Sequence, residues 1–406
     1  MAKPRRTTRL EEHGFWDYTT PGAGGMEGYE KDDYARLLDD MSGAGMNSVV
    51  VMVKWLTTGY RSRLPYLDQH PENRVTRSDN RLLADFIDSA ASRGLRVWLG
   101  AVVSMFPVTS VRCAPTATYS GEFGGFPLPW PTGVFDSDAP EVTEYSVAIF
   151  EELYSLFPRV GGFLVELEFC DIAMPHRIPL YDAWARENGR PQYVRIAQPL
   201  APRNPDVAPW RDYATMSRLR VVRAVHDALE ARGFIGRLAL LCETGAHPFQ
   251  VQQAVNLDMV KAACPDIVAV SYDPNYDKSR NRLGIMEMAV EEPKRAGLRT
   301  FYLPRGIMTW AGQWPMSLSL EEFWKAEAED IARFAPDGVW WFGSGSADGF
   351  EGAHASAKRL AISGFADGLA ARRAFLKATK TLQGPVRGAV QGPVQSPVRR
   401  PAARRA

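Results

Sequence analysis

The sequence has few cysteines and histidines, and neither residue type is spaced for metal binding. The four cysteines are scattered and form no C-x-x-C pair, which argues against a zinc ribbon and against a disulfide scaffold. The six histidines form no H-x-H or H-E-x-x-H pair, the spacings that are typical of a metal centre. The sequence therefore predicts neither a metal site nor another cofactor.

Motifs for phosphate binding and for serine nucleophiles are also missing. There is no P-loop and no G-x-S-x-G nucleophile elbow. A dinucleotide-binding sheet would need a G-x-G-x-x-G turn after its first strand, but Gly22 and Gly24 are followed by Glu27 at the third glycine position. We therefore interpret 22–28 as a flexible loop, which argues against the doubly wound sheet as a rival fold.

Long apolar segments are absent as well. No run of residues approaches the length that crosses a membrane. The first ten residues are basic, and the pair Arg5-Arg6 is followed by polar Thr7 and Thr8 rather than by the apolar stretch of a signal peptide. We accordingly expect a cytoplasmic protein with no membrane partner.

The sequence does contain an alternation of strand and helix patterns, repeated about eight times. The predicted strands are 13–20, 47–55, 95–103, 161–169, 237–245, 266–273, 298–305 and 338–343. The predicted helices are 29–41, 80–93, 141–157, 210–232, 249–263, 280–296, 320–334 and 354–377. Eight such rounds predict an α/β protein with the (β/α)8 TIM-barrel fold. We place the barrel at 13–378, after a flexible N-terminus at 1–12, with long loops after strands three and four at 104–140 and 170–208.

The end of the chain has a different composition. Residues 383–406 are rich in Pro, Gly and Arg, show no apolar periodicity and contain five Arg and no acid, so we predict a disordered basic tail at 379–406. The whole chain carries a formal charge of +1, so these five arginines leave residues 1–382 at −4. Such a tail can contact nucleic acid or anionic surfaces weakly, and the alternative is a solvated tail without a partner.

Two carboxylates interrupt the apolar run of the predicted fourth strand. Side chains alternate along a strand, so Leu164, Glu166 and Glu168 share one face. Burying two carboxylates costs several kcal/mol unless they are paired or hydrogen-bonded, which indicates a function. The alternative is a buried ion pair with Lys54 or Arg305.

A third acid, Glu243, lies at the end of the predicted fifth strand. Acids at the ends of neighbouring barrel strands fit acid/base chemistry on a glycosidic bond, and we predict Glu168, Glu243 and Glu166 as the catalytic residues. For Glu243 the alternative is a loop or capping acid before the next helix.

The other predicted strand ends carry polar and aromatic residues that suit a polyhydroxylated substrate, since carboxylates bond hydroxyls and indoles stack on sugar rings. The predicted substrate-binding residues are Trp16, Asp17, Lys54, Trp55, Tyr272, Asp273, Arg305 and Trp341. We expect at least one of Trp16, Trp55 and Trp341 to form the floor of a sugar subsite. Strand alternation allows only one ring of the pair Trp340-Trp341 to point inward, and only the inward ring can serve that purpose.

These stretches resemble the (β/α)8-barrel glycoside hydrolases over about 13–375. The segment 45–66 is similar to the opening of many barrel glycosidases. The acids at 166–168, followed by VSYD at 270–273 and GVWWFG at 338–343, look like chitinase-type barrels. In those barrels the fourth strand ends in a catalytic Glu, the sixth carries Tyr-Asp and the eighth carries Trp.

The sequence also departs from each family pattern. Glu166 and Glu168 match the last two acids of the chitinase-type D-x-x-D-x-D-x-E signature, but Leu164 stands where the preceding Asp belongs. Acids at the ends of strands four and five resemble the α-amylase-type arrangement, but its Arg-x-Asp signature is absent, as is the Asn-Glu of the cellulase-type clan. The resemblance supports glycoside hydrolases as a class and no single family.

The sequence thus predicts a glycoside hydrolase acting on an oligosaccharide or glycoside. Carboxyls on adjacent strand ends lie about 5–6 Å apart, which favours a retaining mechanism. By the α-amylase-type order, Glu168 is the nucleophile and Glu243 the acid/base; by the chitinase-type order, Glu168 is the acid. The alternative is a non-hydrolytic barrel, either a carbohydrate-binding pseudoenzyme or a lyase or isomerase on a phosphorylated small molecule, with an anion bound at 343–346.

Overall fold

A computed structural model of the protein describes the chain between residues 10 and 382, with gaps. The described ranges are 10–18, 31–54, 58–65, 67, 74–107, 118–120, 122–123, 126–127, 132–135, 137–167, 177–193, 208–242, 255–272, 286–307, 319–343 and 368–382. Of the tail predicted at 379–406, residues 383–406 lie outside these ranges, so the prediction of their disorder stays a prediction.

Eight parallel strands close into a barrel, which confirms the predicted (β/α)8 fold. In chain order, β1 to β8 are Glu12–Tyr18, Ser48–Lys54, Arg96–Val102, Gly162–Glu166, Arg237–Leu241, Val268–Tyr272, Arg299–Leu303 and Gly338–Phe342. Each strand pairs with its neighbours in sequence order, and β8 closes the barrel against β1. All the predicted strand positions are therefore met, with ends that differ by a few residues.

Helices lie between the strands and cover the barrel. In chain order, α1 to α10 are Lys31–Gly43, Arg74–Arg77, Arg81–Ser92, Pro140–Leu156, Ile178–Glu187, Ala208–Ala231, Leu257–Ala263, Glu292–Arg295, Leu320–Phe334 and Gly368–Ala378. A π-helical turn, Glu287–Glu291, leads directly into α8. None of the described helices is long and apolar enough to span a membrane.

Local sequence signals account for several element ends. The helix α9 has the predicted bounds because Ser319 and Glu322 form a capping box, in which each side chain bonds the backbone amide of the other. The first residue of β4 is Gly162, and its lack of a side chain leaves space for a residue of the neighbouring strand. A Cβ atom added at Gly162 would lie 2.3 Å from the ring of Trp98 on β3, so glycine here makes room for a large ring inside the barrel.

The barrel has two apolar layers, and strand alternation assigns each residue to one of them. The interior is filled by Trp16, Val50, Met52, Trp98, Val102, Leu164, Ala239, Leu241, Val268, Val270, Phe301, Leu303, Trp340 and Phe342. The outer layer lies between strands and helices and includes Phe15, Phe163, Val165 and Trp341. Because both faces of each strand are buried, the strands are nearly continuous apolar runs, and a polar residue among them stands out.

The two long loops contain regular structure that the sequence analysis did not predict. After β3, short antiparallel strands form at Met105–Pro107, Thr118–Ser120 and Thr132–Phe135, with a second pair at Glu122–Phe123 and Phe126–Pro127. All but Thr132–Phe135 have only two or three residues, which is too short for a period-2 pattern to be read, since such a pattern needs four or more.

After β4, the segment that we expected to be an irregular insertion contains the helix α5. This helix is stabilised by tertiary contacts, because Tyr181 packs against Trp210 and Tyr213 of α6 with ring centroids 5.1 and 5.7 Å apart. Its amphipathic pattern is masked in the sequence by charged and proline residues nearby, so a short helix was missed.

The ends of the barrel also differ slightly from prediction. The first strand begins at Glu12, one residue before the predicted boundary, and the backbone amide of Glu11 already bonds the carbonyl of Asp337. At the other end, the chain continues past α10 into a 3₁₀ turn, Lys380–Leu382.

Candidate active site

The candidate site is the end of the barrel where the strands finish, since barrel enzymes carry their chemistry there. Glu166 is the last residue of β4 and pairs in register with Val102 of β3. It shares its strand face with Leu164, which lies in the barrel interior, whereas Val165 lies in the outer layer. The structure therefore places Glu166 as predicted: a buried carboxylic acid on the inner face of the barrel, 5% exposed.

The other two predicted acids, Glu168 and Glu243, lie outside the described residues. The same holds for Trp55 and Asp273, and for Tyr272 only the backbone is described, as the last residue of β6. The prediction that Glu168 and Glu243 form a catalytic pair stays a prediction.

Lys54 ends β2 on the other side of β3 from Glu166. The register between β2 and β3 shifts between Met52 and Lys54, which marks a bulge at the strand end. The ammonium group is fully buried, and this burial lowers the pKa of Lys54 well below its ordinary value. A costly buried amine at the catalytic end of a barrel is the kind of group that functional sites contain.

Trp16 lies inside the barrel near the same end, on β1. Its ring centroid is 6.4 Å from that of Trp340, and the two planes are inclined at 62°. The ring belongs to the interior cluster and is 1% exposed. Ser104, which follows β3, is also buried at this end.

Trp341 is not at the candidate site. The expectation of one inward and one outward ring is met, but the inward ring is Trp340, because Trp341 faces the helices. Its indole nitrogen bonds His13, and its ring packs 4.9 Å from that of Phe375 on α10. The prediction that Trp341 forms the floor of a sugar subsite is therefore wrong. Two adjacent tryptophans do not reveal from sequence which of them faces the interior, and in the structure Trp341 faces the helices.

Two further predicted substrate-binding residues also approach the outer layer. Asp17 pairs in register with Val51, whose side chain lies between strands and helices. The guanidinium carbon of Arg305 is 5.9 Å from the ring of Phe323 on α9. The structure therefore brings Glu166 and Trp16 to the inner end of the barrel and leaves Asp17 and Arg305 nearer to the helices. Lys54 is buried at the same end of the barrel and pairs in register with Ala101, whose side chain lies in the outer layer.

The opposite end of the barrel contains a buried acid, Glu12, that lies within the predicted flexible N-terminus. Glu12 accepts a hydrogen bond from the indole nitrogen of Trp98 at 2.8 Å, and Arg96 lies 3.1 Å from its other oxygen. Burial raises the pKa of Glu12, and Arg96 and Trp98 oppose that rise only in part. This network caps the interior at the strand starts, where barrel residues serve stability.

A groove of about 830 Å³ opens at this same opposite end, beside the strand starts and the end of α6. It is lined by side chains of both charges, among them Arg237 and Arg299, which both pair with Glu11. Barrel enzymes carry their chemistry at the other end. We therefore do not identify this groove with the active site.

Among the described residues, one group of side chains comes close enough to share a metal ion. His226, Asp227 and Glu230 of α6 present atoms within 4.8 Å of one another. All three are exposed and line the groove at the strand starts, remote from Glu166. Exposed acidic side chains commonly cluster without a metal.

Comparison with known proteins identifies the fold but no family. No protein-family model and no curated protein sequence matches this chain. The chain is similar to the β-galactosidase of the Antarctic haloarchaeon Halorubrum lacusprofundi (14% identity, TM-score 0.61), covering 91% of this chain and 58% of that one. It is also similar to the β-galactosidase of the psychrophilic Marinomonas ef1 (14%, TM-score 0.58), covering 90% and 59%. A third match is the PgaB (BpsB) glycoside hydrolase domain of Bordetella bronchiseptica (14%, TM-score 0.54), covering 88% and 99%.

At a sequence identity of 14%, the similarity to these structures establishes the fold alone. The chain spans less than two thirds of either β-galactosidase but nearly the whole of the PgaB domain. This protein is thus a closed (β/α)8 barrel whose similar solved structures are glycoside hydrolases, with no family assignable.

Proposed function

We propose that the protein is a glycoside hydrolase in which Glu168 and Glu243 are the pair of catalytic acids. The pairing register of β4 and β5 supports this. Gly162 pairs with Arg237 and Val165 with Leu240, a constant offset of 75 residues in the sequence. In this proposal the same offset continues beyond the strand ends and pairs position 243 with position 168. Since Leu164 and Ala239, one pair of this ladder, both face the interior, alternation directs the two acids to the same inner face.

The proposed chemistry is a double displacement with retention. Neighbouring strands lie about 4.8 Å apart, so two acids in register come within about 5–6 Å, the separation that retaining glycosidases use. One carboxylate attacks the anomeric carbon while the other acid gives its proton to the departing glycosidic oxygen. That second residue then takes a proton from water, which cleaves the glycosyl–enzyme ester. The α-amylase-type order makes Glu168 the nucleophile and Glu243 the acid/base.

The remaining predicted residues have supporting roles in this proposal. Glu166, the last residue of β4, is the third acid of the proposed site, since strand alternation gives positions 166 and 168 the same face. Trp16 and Lys54 come from β1 and β2 at the same barrel end, and Trp55, Tyr272 and Asp273 are proposed to contact the sugar hydroxyls. The substrate class is an oligosaccharide or glycoside.

The experiment is a comparison of three glutamate-to-glutamine variants on a panel of aryl glycosides of both anomeric configurations. We expect Glu168→Gln and Glu243→Gln each to lower kcat by a factor of about 10³ or more, since each removes an essential group. Azide should restore activity only to the variant that lacks the nucleophile. Glu321→Gln, an exposed residue of α9, is the matched control and should keep full activity.

Two results would contradict the proposal. Unchanged activity in both Glu168→Gln and Glu243→Gln would exclude this acid pair, and a product of inverted anomeric configuration, observed by NMR, would exclude the retaining mechanism. Binding of sugars without hydrolysis of any glycoside would instead favour the carbohydrate-binding alternative. Phosphate binding at 343–346 would favour the lyase or isomerase alternative.

A further inference from the structure

Two buried arginines bind the chain on either side of the segment 168–176, which carries Glu168. Before the segment, the guanidinium of Arg218 donates a hydrogen bond to the carbonyl of Leu167 at 3.2 Å. After the segment, Nε of Arg177 donates to the carboxylate of Asp138 at 2.9 Å. Both arginines are almost completely buried, and a buried arginine is costly, so it is seldom present without a role.

We call the bond from Arg218 to Leu167 the first anchor and the pair Arg177–Asp138 the second anchor. Asp138 is the centre of the second anchor. Besides Arg177, it accepts hydrogen bonds from the hydroxyls of Tyr213 and Ser217, each at 2.7 Å. Burial by itself raises the pKa of Asp138, but Arg177 and these hydroxyls together hold that pKa below its ordinary value. The carboxylate is therefore ionised at neutral pH and fully coordinated by protein groups. The ring of Trp210 lies 5.5 Å from the guanidinium carbon of Arg177 and covers it.

Both anchors belong to the first half of α6. Tyr213, Ser217 and Arg218 are all on this helix, and helices of a (β/α)8 barrel run antiparallel to the strands, so the helix start lies at the end where strands finish. The same half-helix also holds Asn256, which follows 243–254 and bonds Asp212 at 2.7 Å and Thr215 at 2.9 Å. Polar side chains in the first half of α6 thus bind the backbone or side chains of residues next to both segments that carry the proposed acids.

We propose that Arg218 and the Asp138–Arg177 pair are positioning residues: they hold the chain directly before and after 168–176 and thereby position Glu168. The inference rests on the proposed function for the role of Glu168, but the anchoring itself does not. Arginine suits this task because its guanidinium is always charged, planar and rigid, and directs several donors at once. A displacement of about 1 Å at a catalytic group is enough to lower a rate by about 10²-fold.

The first experiment measures kinetics of Arg218→Met, which keeps an unbranched apolar stem and loses the donors. We expect kcat to fall at least 10-fold with KM changed less than threefold, and Arg218→Lys to recover part of kcat. Arg223→Met, an exposed arginine of the same helix, is the matched control and should behave as wild type. A residue that only supports folding would lower the folded fraction and leave kcat per folded molecule unchanged.

The second experiment does not depend on activity. Hydrogen exchange is followed on peptides covering 163–178 in wild type, Arg218→Met, Asp138→Asn and the Arg223→Met control. We expect faster exchange in 168–176 for the first two variants and unchanged exchange in β7. If Asp138→Asn does not fold, Tyr213→Phe is used in its place, because that variant removes one of the hydrogen bonds to Asp138.

Unchanged exchange in 168–176 for Arg218→Met and for the Asp138 or Tyr213 variant would overturn the inference. If wild type hydrolyses no glycoside, the proposed function fails, and the exchange result still decides whether the two anchors position this segment.

Discussion

The indole nitrogen of Trp341 donates a hydrogen bond to Nε2 of His13 over 3.1 Å, at the seam where β8 closes the barrel against β1. Because Nε2 is the acceptor, the histidine is neutral with its proton on Nδ1. Burial favours that neutral form and lowers the pKa of His13 to about 4 from the ordinary 6.5. The contact between β8 and β1 therefore requires the neutral form of His13.

The first prediction is a loss of stability in mild acid. The unfolded chain binds a proton at His13 below pH 6.5, whereas the folded protein resists it down to about pH 4. The contribution of His13 to the free energy of unfolding is thus complete above pH 6.5 and is lost as the pH falls towards 4. The total loss is about 3 kcal/mol, at 1.36 kcal/mol per pKa unit.

Urea unfolding at pH 7.5 and pH 4.5 measures this effect. The variant His13→Gln keeps an acceptor for Trp341 but does not titrate, so its free energy of unfolding should depend less on pH. The control is His226→Gln, an exposed histidine. Equal pH dependence in wild type and His13→Gln would show that other groups cause the acid sensitivity.

The second prediction concerns Trp341, which we expect to act on stability and not on catalysis. Trp341→Ala removes a fully buried ring that packs on Phe375, and should destabilise the fold by about 3–5 kcal/mol. Trp341→Phe keeps most of the packing and should cost less. Denaturation gives the free energies, and kinetics on the folded protein should show wild-type KM. A raised KM with unchanged stability would return Trp341 to the substrate site.

A third prediction follows from the contact between Gly162 and Trp98. Gly162→Ala places a methyl group 2.3 Å from the Trp98 ring and should destabilise by about 1–3 kcal/mol or more, as overpacked cores do. Adding Trp98→Leu should recover part of that loss, which a double-mutant cycle reveals as coupling. Gly43→Ala, where the added methyl meets nothing within 4 Å, is the control. Additive effects at Gly162 and Trp98 would contradict the packing argument.

The fourth prediction is that Lys54 is retained for function at a cost in stability. Its folded pKa lies well below the ordinary 10.5 because of burial. Between the folded pKa and about 10.5 the unfolded chain therefore binds more protons than the folded protein, and stability rises with pH over that window. Lys54→Met should remove that slope and stabilise the protein at pH 7 by about 1 kcal/mol or more.

Unfolding at pH 7 and pH 9.5, together with KM for a hydrolysed glycoside, tests this prediction. We expect Lys54→Met to be more stable and to bind substrate more weakly. A large loss of stability would instead assign Lys54 to a buried ion pair, the structural alternative that the sequence left open.

Much of the fold was predictable because strand and helix periodicity are local properties. The run 161–169 identified β4 and the inner face of Glu166, since alternation depends only on neighbouring residues. The helix predicted at 320–334 likewise has the bounds that the structure gives to α9. The helix α5 was missed because its stability comes from Trp210 and Tyr213 of a later helix and not from its own sequence.

The sequence by itself determined the class of fold, the eight strands and the acid on the inner face of β4, because apolar periodicity and polar exceptions are written in adjacent residues. Only the tertiary structure decided which tryptophan of 340 and 341 faces inward, because the phase of a strand that is buried on both faces depends on barrel closure. It also decided that Arg218 reaches Leu167 and that Arg177 reaches Asp138. Those partners are 51 and 39 residues apart in sequence, so only tertiary packing brings them within hydrogen-bonding distance.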